Sequence, residues 1–126
     1  MLLPDDTPKG ILIYGKGISS NKYVISNLEN EHKVWVVNTL PKLVNSAAER
    51  QVGLILFELS KGIKNELGTL KALRALPTEV MILVVMDNKS TKEVAKVLKY
   101  GATDVFPKPF DPQLLVERVE ALLKKN

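Results

Sequence analysis

The sequence predicts a doubly wound α/β sandwich built on a parallel sheet. Two observations carry this reading. Five short apolar runs of strand length alternate with five amphipathic segments of helix length. The strand runs are apolar at consecutive positions, as in LILF and VMILVV, so both faces of the sheet are to be covered. Right-handed crossovers between successive parallel strands then give three layers.

Residues 1–8 hold two prolines and two aspartates and read as a loose tail, leaving 9–126 as one domain. Ile11–Tyr14 (ILIY) is the first strand. Ser19-Ser20 can cap a helix running to about Glu29, with Tyr23, Val24 and Leu28 on its inner face. The β-rich run KVWVV (33–37) is the second strand, with Trp35 assigned to core packing. Thr39 caps a second helix, which tolerates Pro41 in its first turn and ends near Arg50. Leu54–Phe57 is a buried-type strand. Residues 65–76 set Leu67, Leu70 and Leu73 at helical spacing, and Val80–Val85 is the most apolar strand. Ser90 caps a helix reaching Tyr100, and Gly101 stands where a left-handed terminating residue is wanted. Thr103–Phe106 is the fifth strand. Asp111 followed by Pro112 starts the last helix, which reaches about Lys124.

Composition narrows the chemistry. With no cysteine, disulfides, thiolate metal sites and thiol nucleophiles are excluded, and one histidine, His32, excludes a His-rich metal cluster. No apolar run approaches the roughly 18 residues of a membrane span. Met1-Leu2-Leu3 is too short for a signal peptide. The expectation is a soluble, cytoplasmic protein. The net charge of +4 permits an anionic partner without requiring one.

In this architecture ligands sit beyond the carboxyl ends of the strands. The residues there are Gly15, Lys16 and Gly17 after the first strand, Glu58 after the third, Val84 to Asp87 after the fourth and Lys108 after the fifth. Gly10-x₄-Gly15-Lys16 superficially fits a phosphate-binding loop. Its intervening residues are the strand itself, however, and Gly17 stands where Ser or Thr is needed. A tight strand-to-helix turn is the better reading.

The five β-α units, the stretch YGATDVFPKPF (100–110) and the spacing from LILFE to KPF resemble the receiver domain of bacterial response regulators, the CheY-like family. The resemblance covers about residues 9–125, and Lys108-Pro109-Phe110 is its most specific part. It implies a flavodoxin-like (βα)5 three-layer sandwich with a five-stranded parallel sheet in the order 2-1-3-4-5. It also implies a cis bond between Lys108 and Pro109. Active members use two acids after the first strand and an aspartate after the third to hold Mg²⁺, and that aspartate accepts the phosphoryl group. A hydroxyl after the fourth strand and a lysine after the fifth contact the phosphate. Carried onto this chain, the acid pair falls on Gly15 and Lys16, and the acceptor falls on Glu58. The hydroxyl position falls between Val84 and Met86, where no residue bears a hydroxyl. Only Lys108 is retained. The position of the family's strand-5 aromatic is open between Val105 and Phe106.

These departures point to a pseudo-receiver in two-component phosphorelay signalling that is not phosphorylated. Mg²⁺ wants hard oxygen ligands, which Gly15 does not supply from a side chain, and Lys16 brings a positive charge instead. The extra methylene of Glu58 moves its oxygens by roughly a bond length, and misplacement of about 1 Å can cost about 100-fold in rate. Glu58 reads either as a fixed charge mimic of the phosphorylated aspartate or as a tolerated relic. As the one acid left among the matched positions, it is expected to pair with Lys16 or Lys108. Lys89, Lys92, Lys96 and Lys99 form one stripe of the helix over 90–100, with Val94, Ala95, Val97 and Leu98 turned to the core. The stripe reads as a solvated face or as a surface for an acidic partner. The expected function is protein–protein contact with a signalling protein or an output domain. By the family resemblance its surface is the fourth predicted helix, the fifth strand and the last helix, the same surface serving a possible homodimer. No enzymatic activity, metal, cofactor or membrane contact is expected, and nucleic-acid binding by this domain alone is not favoured. The alternatives are an anion or nucleic-acid binder using the lysine stripe and a weakly active phosphoacceptor.

Overall fold

The computed structural model describes residues 9–60 and 64–124; the tail expected over 1–8 lies outside the described residues. The elements run in the order β1 (Gly10–Tyr14), α1 (Lys16–Ser19), α2 (Lys22–Glu29), β2 (Val34–Val37), α3 (Leu40–Glu49) and β3 (Val52–Glu58). They continue with α4 (Lys64–Arg74), β4 (Met81–Met86), α5 (Thr91–Lys99), β5 (Asp104–Pro107) and α6 (Pro112–Lys124). The five strands form one sheet in the order β2-β1-β3-β4-β5, every pair parallel. This is the expected doubly wound sandwich. Pro107, which has no amide to donate, ends the edge strand β5, where the ladder tolerates it.

Strand alternation divides the core into two layers. Leu12, Ile55, Phe57, Ile82 and Val84 point to one face, under Leu43 of α3, Leu70 and Leu73 of α4 and Val97 of α5. Ile11, Ile13, Leu54, Leu56, Leu83 and Val85 point to the other, under Val24 and Leu28 of α2 and Leu115 and Val119 of α6. The consecutive apolar residues of the central strands thus serve two interiors. Trp35 is half-buried against the first layer, with the Arg50 guanidinium 5.0 Å from its ring centroid. Opposite the strand ends, Arg74 ties α4 to the start of β4 and to the turn before β5. It donates to the Val80 carbonyl at 2.8 Å and to the Gly101 carbonyl at 2.6 and 3.1 Å.

The caps expected at Thr39, Ser90 and Asp111 accept amide hydrogen bonds from Lys42, Glu93, and Gln113 and Leu114. Gly101 has φ +121°, as a terminating glycine should. Three expectations are corrected. The helix read from Ser19-Ser20 is two pieces: Ser20 closes the short α1, and Asn21 caps α2 by accepting from the Val24 amide at 3.1 Å. Asparagine caps as well as serine does, so the signal for the break was one residue further on. Tyr23 is exposed rather than inward, because the later start of α2 leaves Val24 and Leu28 to define its buried face. Ala95 and Leu98 are also exposed, and α5 buries Val97 alone completely. No helix among the described residues is long and apolar enough to cross a membrane.

Candidate functional site

The carboxyl ends of β1 and β3 lie side by side, Tyr14 opposite Phe57, which puts the loop Gly15-Lys16-Gly17 against Glu58. Glu58 is the last residue of β3, and its side chain is only 11% exposed. One carboxylate oxygen, Oε2, lies 2.6 Å from Nζ of Lys108, which is 31% exposed. The other, Oε1, accepts from the backbone amides of Gly17 at 2.8 Å and Ile18 at 3.3 Å. Those amides belong to the first turn of α1, whose own N-cap residue, Gly15, supplies no side-chain bond. Glu58 therefore does from another strand what an N-cap side chain does locally, satisfying donors the helix leaves open.

The glycines make room for this carboxylate. Gly15 has φ +136°, and a Cβ there would lie 2.2 Å from Cβ of Glu58. A Cβ at Gly17 would lie 2.6 Å from Oε2. Both distances are shorter than Cβ contacts permit; at Gly17 the conflict is with the carboxylate of Glu58 itself, whereas at Gly15 it is with the Cβ of residue 58 and with the positive φ.

Lys108 is held from two further directions. Its amide donates to the Met86 carbonyl at 3.0 Å, and its ammonium lies 3.5 Å from the Leu59 carbonyl. The Lys108–Pro109 bond is cis, as the family resemblance implies. Of the two lysines expected near Glu58, Lys108 makes the pair. Lys16 is exposed and makes no ion pair among the described residues. Val84, Val85 and Met86 are buried at the end of β4 and offer no hydroxyl. Val105 packs against the first core layer and Phe106 into the second. Beside the corner lies a cleft of about 580 Å³ lined in part by Tyr14, Lys16, Ser19, Asn38 and Ser60. The residues 11–14 that a phosphate loop would need as loop amides are strand β1.

Lys89, Lys92, Lys96 and Lys99 are all exposed, apart from the corner, and none is in an ion pair among the described residues. The capping role of Glu58 has one signal in the sequence, a Gly-x-Gly turn facing a glutamate rather than an aspartate. The pair of His32 Nε2 with Glu120 Oε1 at 2.8 Å has none, since its members stand 88 residues apart.

The sequence profile of the response regulator receiver domain matches residues 5–120. The chain belongs to that family. Among curated relatives, the transcriptional regulatory protein CpxR of Escherichia coli K12 is 33% identical over 75 residues, 60% of this chain and 32% of that protein. The transcriptional regulatory protein MalR of Bacillus subtilis is 28% identical over 91 residues, 72% of this chain and 39% of that protein. The receiver thus aligns with only about a third of the length of these relatives. Among solved structures, a CheY-like receiver domain protein of Methanospirillum hungatei superposes with a TM-score of 0.80 at 20% identity, covering 94% of this chain and 96% of that one. A structure from a family of streptococcal redox sensors that evolved from two-component response regulators gives a TM-score of 0.77 at 23% identity, covering 93% of this chain and 52% of that one.

Proposed function

We propose that this receiver domain signals by protein–protein contact without being phosphorylated, its switch position held by Glu58. The carrying observation is the engagement of both carboxylate oxygens, Oε1 by two α1 amides and Oε2 by the Lys108 ammonium. Phosphoryl acceptance requires a carboxylate oxygen free to attack and a cation to neutralise the developing charge. The residues of the corner do not fit the Mg²⁺ that the family implies. Gly15 offers no side-chain oxygen, Lys16 is a cation, and Lys108 already neutralises the single acid. In this reading Glu58 replaces a reversible modification by a permanent contact. Its single charge falls short of the roughly −1.5 to −2 of a phosphate, so it supplies a fixed position more than an equivalent field.

The partner we propose is a signalling protein or an output domain, meeting the surface formed by α5, β5 and α6, which would also serve a homodimer. The exposed lysine stripe and the exposed Ala95 and Leu98 beside it support that surface, since they combine charge with apolar contact. We propose no catalytic turnover for the domain. Titration with Mg²⁺ or Mn²⁺, followed through the amide signals of residues 15–17 and 58, tests the reading. The expected result is no saturable shift at millimolar metal; saturable shifts confined to these residues would overturn it.

A further inference from the structure

We propose that Glu31, His32 and Glu120 form a site for a divalent transition-metal ion of the Zn²⁺ class, at the end of the sheet opposite the Glu58 corner. Glu31 and His32 lie in the turn between α2 and β2, and Glu120 lies on α6. One ligand atom from each residue comes within 4.8 Å of the others. His32 and Glu120 are 17% and 25% exposed and already meet at 2.8 Å, while Glu31 is exposed.

The distances suit a metal. Zinc binds imidazole nitrogen and carboxylate oxygen at about 2.0–2.2 Å, which puts neighbouring ligands of a tetrahedral site roughly 3.4 Å apart. His32 and Glu120 need to part by only about half an ångström to admit the ion, a movement judged against those bond lengths. The exposed Glu31 side chain closes the remaining gap, and a water completes the set. The turn itself is fixed, since the amides of Glu31 and His32 both donate to the Leu28 carbonyl, at 3.4 and 3.0 Å. That carbonyl belongs to the last turn of the eight-residue α2, an end where helix carbonyls favour a cation. A hydrogen bond tying α6 to the turn needs only His32 and Glu120. The second carboxylate, Glu31, within 4.8 Å of both, is the third ligand that a metal would use. The imidazole nitrogen selects against Mg²⁺ and Ca²⁺, which prefer oxygen donors. Occupancy would clamp α6, one edge of the proposed partner surface, to the α2–β2 turn.

The chain suits the test, because it has no cysteine and His32 is its only histidine. The tag-free 126-residue chain is titrated with ZnCl₂ by calorimetry, and the single imidazole is followed by NMR. We expect one equivalent bound at micromolar concentration, imidazole signals that move to saturation with it, and no competition from millimolar Mg²⁺. Excess Zn²⁺ should raise the melting temperature by at least about 3 °C. His32→Gln keeps a donor for Glu120 but removes the metal ligand. Glu31→Gln changes an exposed residue, so its fold should be intact. Each should weaken Zn²⁺ binding at least about tenfold, the lower limit of what even outer-shell changes cost. No saturable binding, or unchanged affinity in either variant, would overturn the site.

Discussion

Glu58→Gln keeps the length and shape of the side chain and removes its charge. The carboxylate is 11% exposed and makes three polar contacts, two to α1 amides and one to Lys108. An amide oxygen can still accept from Gly17, so the cap is weakened rather than lost; a charge-assisted bond is roughly twice as strong as a neutral one. The ion pair disappears. Bonds to charged groups contribute about 1.5–3 kcal/mol when one partner is removed. Lys108 is 31% exposed and regains some hydration, which lowers the expected loss to about 1–2 kcal/mol. With a urea m-value near 2 kcal/mol/M, the unfolding midpoint should fall by about 0.5–1 M with m unchanged. Lys108→Met should cost a similar amount, and the double variant less than the sum, with a coupling of about 1 kcal/mol. Additivity within about 0.5 kcal/mol, or an unmoved midpoint for Glu58→Gln, would refute the corner as a coupled unit.

Two further predictions concern residues around the corner and on α5. Gly17→Ala should destabilise by about 1–3 kcal/mol, because its Cβ displaces Oε2, yet be neutral or stabilising in a Glu58→Ala background, where only the helical preference of alanine remains. Gly15→Ala should cost more than about 2 kcal/mol in both backgrounds, since its φ is +136° and the Cβ it meets is still present after Glu58→Ala; urea melts of the four variants check both claims. The pair Lys92→Glu and Lys96→Glu should change stability by no more than about 0.5 kcal/mol per site while abolishing capture of a verified partner, read by thermal melting and pull-down side by side.

The fold was legible because each element is signalled locally. LILF and VMILVV are too apolar for any strand but a doubly covered one, and Thr39, Ser90 and Asp111 mark helix starts through bonds that reach only two or three residues. The break between α1 and α2 was not legible, since Ser19, Ser20 and Asn21 are all competent caps and tertiary packing chooses among them. Half of the corner was readable: Glu58 and Lys108 follow from strand ends and family spacing. The other half depends on contacts across 40 and 41 residues, from Oε1 to the amides of Ile18 and Gly17, and no local pattern encodes them. The exposure of Lys16 was equally hidden. Its position beside the site is set by sequence, but the direction of its side chain is set by α1. His32, read only as a lone histidine, acquires a partner through the packing of α2 against α6.

A domain whose switch position is held by Glu58 should take no phosphoryl group. Incubation of the full chain with Mg²⁺ and a small acyl phosphate, followed at once by intact mass measurement, tests it most directly, with Glu58→Gln run in parallel. An unmodified mass is expected for both proteins. A species heavier by one phosphoryl group in the parent chain and missing from Glu58→Gln would contradict it, because Glu58 would then be an acceptor rather than a fixed contact.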